Sequence, residues 1–292
     1  MPNNFDLKYQ EYVDRFEAQL KIALSKLENV PKYLSEAMSY AVCDGGKRVR
    51  PVLCYATADM LGVELDKVDV FAVAIELIHS YSLVHDDLPC MDDDDYRRGK
   101  LSTHKKFGEA FGVLAGDGLL NFAFEYVLSK KDFSLVDAKA LKFLSCCAGS
   151  SGMIGGQVLD LLNEKNNDIS YEVLYQIYIN KTAKLLLAPI MIASIFAGDK
   201  EYENLTEYGL NLGLMFQISD DLLDAKGDKQ IIGKTPGKDQ IQDKLTSIKI
   251  FGLDGAISQL KFHYDKCLNA IKDFNNNDFI LEFTKKMFER TK

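Results

Sequence analysis

Apolar side chains recur at steps of three and four along almost the whole chain, a spacing that favours helices packed on helices. Between residues 5 and 29 the apolar positions are Phe5, Tyr9, Tyr12, Val13, Phe16, Leu20, Ala23, Leu24 and Leu27, one continuous helical stripe. Pro31 closes that segment. A second helix fits 32–43 and stops at Asp44-Gly45-Gly46, where glycine accepts the left-handed backbone of a helix end. Pro51 occupies a first-turn position ahead of Val52 to Leu61. Residues 67–88, 109–129, 134–149, 153–163, 170–197, 200–224 and 246–272 read the same way. No alternating run of Val, Ile and Thr bounded by hairpin turns is found. The connections Asp92–Leu101, Glu164–Ile169 and Ala225–Gly237 are charged or polar, and none is a long Gly/Ser or Pro linker. The expected fold is all-α: one domain over residues 1–292, a large bundle of roughly ten or more helices.

Composition narrows the function classes. Lys plus Arg total 35 against 43 Asp plus Glu, a formal charge of −8, which argues against the strongly basic face of a nucleic-acid binder. The N-terminal segment mixes acids and bases among its apolar residues, unlike a signal peptide. The longest apolar stretch, Leu185 to Gly198, contains Pro189 and Ser194 and falls short of the ~20 residues of a membrane span, so it reads as a buried helix. The six cysteines form no C-x-x-C pair and read as reduced core thiols, placing the protein in the cytoplasm.

Two acidic clusters carry the chemistry. Asp86-Asp87-Leu88-Pro89-Cys90-Met91-Asp92-Asp93-Asp94-Asp95 follows one apolar segment, and Asp220-Asp221-Leu222-Leu223-Asp224 follows another. Both put carboxylates at the C-terminal end of a helix, where the dipole prefers cations. Such stacking makes sense if hard cations are held there, and oxygen ligands with open positions suit Mg²⁺. Asp220 and Asp224, four apart, share a helix face. Asp86 and Asp92, six apart, diverge on an unbroken helix, where Asp93 is the better partner. A distortion at Pro89 brings Asp92 back, and Asp92 is the ligand expected. A solvated acidic loop explains Asp92–Asp95 alone, but explains poorly two clusters that each end an apolar helix.

Gly45-Gly46-Lys47-Arg48-Val49-Arg50-Pro51 places three cations in a Gly-rich turn opening a helix, a setting for anions, with Lys47 and Arg50 spaced to grip one phosphate group. Tyr96-Arg97-Arg98-Gly99-Lys100 adds cations directly after the first acidic cluster. An acidic protein that binds a diphosphate needs metal ions and local cations to invert its field, and these clusters supply both. Three polar positions interrupt apolar helices: Lys181-Thr182, Gln217 one turn before Asp221, and His79 two turns before Asp86. Satisfied core polar residues, and for Lys181 a snorkelling surface lysine, are the bland alternatives.

With these residues assembled, the chain resembles the trans-isoprenyl diphosphate synthases, most closely the bacterial farnesyl diphosphate synthases. The resemblance is clearest over residues 30–255 and rests on GGKRVRP at 45–51, HSYSLVHDDLPCMDDDDYRRGK at 79–100, THKKFGEA at 103–110, LAGDGLL at 114–120, GGQVLD at 155–160, NKTAKLL at 180–186, FQISDDLLD at 216–224 and GKTPGKD at 233–239. It implies an all-α bundle around a central cavity, usually a homodimer. It implies that Lys47, Arg50, His79 and Arg98 hold the diphosphate of isopentenyl diphosphate. Asp86 and Asp92 on one wall and Asp220 opposite would ligate three Mg²⁺ ions bridging the allylic diphosphate, with Asp87, Asp221 and Asp224 acting through water or behind the ligands. Arg97, Lys181, Lys234 and Lys244 would neutralise the leaving diphosphate. The Lys181 carbonyl, the Thr182 hydroxyl and the Gln217 amide oxygen would face the allylic cation. Family members often read Lys-x-Thr-Tyr-Pro where this chain has Lys244-Leu245-Thr246-Ser247-Ile248, a departure that bears on Lys244.

The implied reaction ionises the allylic C–O bond, joins the cation to isopentenyl diphosphate through its double bond and loses a proton to the released diphosphate. Water must be excluded, a task for a closing loop that includes 225–244. Tyr81 and Ser82, five and four residues before Asp86, lie where a growing chain would end, so bulky Tyr81 predicts a fifteen-carbon product and Ser82 leaves room for twenty. The rival readings are a class I terpene cyclase, which has no use for the basic turn at 45–50, and an inactive subunit of a heteromeric synthase, which usually lacks one acidic cluster.

Overall fold

The computed structural model describes residues 4–43, 45–164, 170–226 and 246–290. The chain divides into two compact units: Met1–Tyr55 with Glu64–Leu141, and Ala56–Val63 with Lys142–Lys292.

The first unit contains α1 (Asn4–Ser25), α2 (Lys32–Cys43), the start of α3 (Val49–Leu61), α4 (Asp69–Asp86), α5 (Thr103–Phe107), α6 (Glu109–Leu128) and the first half of α7 (Leu135–Ala148). Phe71 through Ile78 of α4 are all buried, a helix apolar on every side, and it packs against α1, α2 and α6. Its first turn carries buried Asp69, which accepts from Arg15 Nε at 2.7 Å, Arg15 Nη2 at 2.6 Å and the Tyr55 hydroxyl at 2.9 Å. An acid at that end is favoured by the helix dipole, and the three donors pay for its burial. Gly116 of α6 makes room for an aromatic ring of α4: a Cβ there would lie 2.1 Å from His85 Nε2.

The second unit holds α8 (Met153–Leu162), α9 (Tyr171–Ile177), α10 (Lys184–Phe196), α11 (Tyr202–Lys226), α12 (Ser247–Ile271) and α13 (Asp278–Glu289). Leu185–Ile195 of α10 is buried throughout, and α11 packs against α10 and α12. Thr246 caps α12 by accepting from the Lys249 N–H at 3.3 Å. Gly252, at φ 68°, kinks α12 one turn later.

The all-α fold is as expected, with two local differences. Tyr96–Arg97 pairs antiparallel with Lys100–Leu101 around Arg98 (φ 54°) and Gly99 (φ 81°). Two successive positive φ values are the signature of a tight I′ hairpin turn, and strands of two residues are too short to leave a periodic trace in sequence. The helix read over 170–197 is interrupted by a π turn at Tyr178–Ala183. With that turn included, Tyr171–Phe196 is a continuous 26-residue helix and, with α6, is one of two long and apolar enough to cross a membrane. In the most apolar window of Tyr171–Phe196, 67% of the residues are buried inside the molecule, as in a core helix. All six cysteines are free thiols.

Candidate active site

In the first unit the chain leaves α4 and folds back on itself. The Asp92 N–H donates to the Asp86 carbonyl at 2.9 Å, Asp93 N–H to Leu88 at 3.2 Å and Asp94 N–H to Asp87 at 3.2 Å. This is the distortion expected at Pro89, and it returns residue 92 to the end of the helix that carries Asp86. Both side chains are half-buried. A pair of carboxylates at one chain reversal matches what Mg²⁺ asks of a protein. A carboxylate oxygen from each of Asp93 and Asp95 and a ring nitrogen of buried His104 also lie within 4.8 Å of one another. That trio was not nominated from sequence; the hairpin brings His104 to Asp95, and the Ser102 N–H closes the hairpin stem onto the Asp95 carbonyl at 2.9 Å.

Asp87 faces inward. Arg97 Nε donates to its two oxygens at 3.0 and 3.2 Å, Arg97 Nη2 adds a further contact, and the same Nη2 lies 3.4 Å from Asp94. Burial raises the Asp87 carboxyl to about 6, against the opposing pull of Arg97. Arg97 therefore holds the hairpin to the end of α4.

The Gly-rich turn divides its cations by role. Arg48, at φ 46° and fully buried, pairs with Glu17 at 2.7 Å and Glu76 at 3.1 Å and donates to the Val42 carbonyl at 2.9 Å. It is a core ion pair of α1, α2 and α4, a role that nothing in the GGKRVRP string announces. Lys47 is exposed, and Arg50 lies in the first turn of α3. Arg98 Nη1 donates to the Gly45 carbonyl at 2.9 Å, and its Nη2 lies 3.5 Å from His79 Nε2. Burial, then the charges of Arg50, Arg98, Arg97 and Arg48, hold the His79 imidazole neutral, well below its ordinary range. The structure thus brings Arg98 to His79 and to the Gly45–Gly46 turn and places Arg50 in electrostatic reach, a cationic patch with an uncharged hydrogen-bonding ring. Tyr81 is buried, edge-on to His85 at 5.5 Å, and the Ser82 hydroxyl is turned back onto the His79 carbonyl at 2.8 Å.

In the second unit the π turn carries Lys181 and Thr182. π turns are rare and concentrate at functional sites. Lys181 pairs with Asp160 of the GGQVLD segment. Gly156 of that segment lets α8 approach, since a Cβ there would lie 2.1 Å from the Lys181 backbone nitrogen. The Thr182 hydroxyl donates to Gln217 Oε1 at 2.8 Å, and Gln217 Nε2 donates to Asp221 at 3.3 Å. Asp221 is buried and also accepts from the Tyr178 hydroxyl, the Ser247 N–H at 2.7 Å and the Ser247 hydroxyl at 2.8 Å. Burial raises its carboxyl to about 7 even against the opposing pull of those four donors. Asp220, half-buried, takes Arg290 Nη2 at 2.7 Å, while Arg290 also bonds Ser219 Oγ at 2.7 Å and the Phe216 carbonyl at 2.6 Å and lies over the Phe216 ring. Arg290 and Tyr178 are partners of the acidic cluster that the sequence did not reveal, because neither lies near it in the chain. Lys234 and Lys244 lie outside the described residues, as does the closing segment beyond Lys226. A cavity of about 550 Å³ is lined by Tyr171, Tyr175, Tyr202, Phe262, His263 and their neighbours and includes none of the nominated site residues, whereas a small pocket beside the hairpin is lined by Asp87, Arg97 and Arg98.

The Polyprenyl synthetase family profile matches residues 31–285. A farnesyl diphosphate synthase of Micrococcus luteus is 40% identical over 272 residues, 92% of this chain and 93% of that one. The large subunit 1 of a heterodimeric chloroplast geranylgeranyl pyrophosphate synthase of Arabidopsis thaliana is 46% identical over 232 residues, 77% of this chain but 62% of that one. The crystal structure of a geranyltransferase of Helicobacter pylori complexed with magnesium and isoprenyl diphosphate superposes with a TM-score of 0.85 at 31% identity, covering 100% of this chain and 98% of the other. Two acidic clusters on helix ends, the cationic turn and the Lys181–Thr182–Gln217 group therefore sit in a chain that belongs to the polyprenyl synthetase family.

Proposed function

We infer that the protein is a trans-prenyltransferase that condenses isopentenyl diphosphate with dimethylallyl diphosphate, and then with geranyl diphosphate, to make farnesyl diphosphate. The observation that carries this reading is the hydrogen bond from Thr182 on the π turn to Gln217 on α11, one turn before the second acidic cluster and next to a paired Lys181. It is a polar, weakly nucleophilic surface of the kind a carbocation needs beside a diphosphate site. The match over nine-tenths of both chains to a bacterial farnesyl synthase supports the fifteen-carbon product.

In this reading Arg50, Arg98, Lys47 and neutral His79 bind the diphosphate of isopentenyl diphosphate. Asp86, Asp92 and Asp220 offer hard carboxylate oxygens for Mg²⁺, three ions in all, which when bound stabilise the charge growing on the leaving diphosphate. The allylic C–O bond breaks with its electron pair going to the diphosphate. Arg97, Lys181, Lys234 and Lys244 oppose that charge, and Arg97 and Lys181 are pre-oriented by Asp87 and Asp160. The Thr182 and Gln217 oxygens face the cation without capturing it. The double bond of isopentenyl diphosphate then attacks the allylic carbon, and the departing proton goes to the released diphosphate.

The active form in this reading is a cytoplasmic homodimer with one synthase domain per chain. Phe111, Val113 and Leu114 are exposed apolar side chains near the start of α6, a surface that a second copy would cover in this reading. Incubation with isopentenyl and dimethylallyl diphosphates plus Mg²⁺, followed by product sizing, tests the activity. Farnesyl diphosphate is the expected product. Turnover of a longer allylic diphosphate without isopentenyl diphosphate would make the protein a cyclase, and inactivity would make it a binding subunit.

A further inference from the structure

We propose that Tyr178 is a positioning residue for this reaction: with Ser247 it holds the Asp221 carboxylate that orients Gln217 toward Thr182. The inference rests on the prenyltransferase reading and adds to it Tyr178, which no quoted motif contains, and Ser247, which stands where the family pattern often has tyrosine.

The two ends of a glutamine amide have almost the same shape, so its chemistry depends on which end faces the reacting group. Thr182 donates its hydroxyl hydrogen to Gln217 at 2.8 Å, which requires Oε1 on that side. The amide nitrogen on the other side needs an acceptor, and Asp221 Oδ1 is that acceptor at 3.3 Å. The other oxygen, Oδ2, receives the Tyr178 hydroxyl, the Ser247 N–H at 2.7 Å and the Ser247 hydroxyl at 2.8 Å. The Ser247 N–H also lies 2.9 Å from the Tyr178 oxygen, so phenol, serine and carboxylate are mutually bonded. Three contacts on one oxygen fix the plane of the carboxylate and leave the other aimed at Gln217.

Tyr178 and Thr182 are four residues apart at the two ends of the π turn. The hydrogen bonds therefore close a ring that runs from Thr182 to Gln217, to Asp221, to Tyr178 and back through the turn. A ring of this kind is stiffer than its separate bonds, because none of Gln217, Asp221 and Tyr178 can rotate without breaking at least two. Tyr178, Asp221 and Ser247 are all buried, so water does not substitute for a lost partner.

The test is steady-state kinetics with geranyl and isopentenyl diphosphates and Mg²⁺. Tyr178→Phe removes the hydroxyl and keeps the ring. The expected result is a fall in kcat of about tenfold, with both KM values within twofold of wild type, because an interaction made only with the cation is lost. In a Gln217→Leu background the same substitution should cost less than twofold, since its effect passes through Gln217. An unchanged kcat in Tyr178→Phe, or an equal tenfold loss in the Gln217→Leu background, overturns the proposal while leaving the synthase reading intact. A wild-type enzyme that fails to elongate overturns that reading itself. If circular dichroism finds Tyr178→Phe unfolded, Ser247→Ala takes its place in the same cycle, with recovery of rate in Ser247→Thr as the expected rescue and no recovery as the overturning result.

Discussion

Tyr81 lies buried five residues before Asp86, its phenol pushed up to about 12 by burial and then by the Asp86 charge. A group that bulky, neutral and well packed is suited to stop a growing hydrocarbon. Tyr81→Ala is expected to shift the product beyond fifteen carbons, and a chromatogram indistinguishable from wild type would remove Tyr81 from that role. A second residue-scale prediction concerns pH. Burial holds the His263 imidazole neutral down to about 4, whereas it protonates near 6.5 in an unfolded chain. Stability from this residue is full above 6.5 and is lost as pH falls towards 4, a loss of up to about 3 kcal/mol. Urea melts at pH 7 and 4.5 should show a smaller drop for His263→Gln than for wild type; equal drops would assign the acid sensitivity elsewhere. Residue identity alone pointed to Asp86, Asp92, His79, Arg98, Thr182 and Gln217, because their chemistry is scarce and their spacing regular. The partners Arg290, Tyr178 and Glu76 were not legible, since each is brought to its site by packing between elements distant in sequence. Arg48 illustrates the limit: three residues of one motif string look alike on paper, yet one is fully buried between Glu17 and Glu76 while Lys47 is exposed.

At the scale of elements, periodicity recovered several long helices to within a residue or two, as with 134–149 against Leu135–Ala148 and 246–272 against Ser247–Ile271, but ran four residues past the end of α1 at Ser25, where Lys26–Asn29 forms a 3-10 turn. It missed the Tyr96–Leu101 hairpin, whose strands are shorter than one period of any pattern, and the π turn, whose apolar spacing is that of an ordinary helix. Helix-on-helix contact explains one motif glycine mechanically. At Gly156 the α8 backbone meets the π turn with no space for a methyl group. Gly156→Val should therefore push Lys181 away from Asp160, destabilise the protein by roughly 3 kcal/mol or more through overpacking, and abolish activity even where a folded fraction survives. A thermal melt combined with an assay checks this, and wild-type kinetics in the variant would show that the close approach is not needed.

For the molecule as a whole, the apolar stripe on α6 has a measurable consequence. Leu114 is 51% exposed in the single chain. If two chains cover that stripe, Leu114→Asp should halve the mass seen by light scattering at micromolar concentration, with little change in far-ultraviolet circular dichroism. A variant that stays paired would move the interface to another face, and a wild-type protein that is already a monomer would remove the dimer.

The π turn at Tyr178–Ala183 has a consequence for how this chain tolerates insertions and deletions. A π turn is an α-helix with one residue too many, bulged so that the flanking stretches keep their faces. Excising a single residue there is thus a rare indel that a buried helix can absorb: Tyr171–Ile177 and Lys184–Phe196 would remain seated while the lysine and threonine retract into the ordinary spiral. A deletion scan through residues 178–183 would then yield soluble, folded and inert proteins, whereas the same scan through the middle of α10 would yield aggregates.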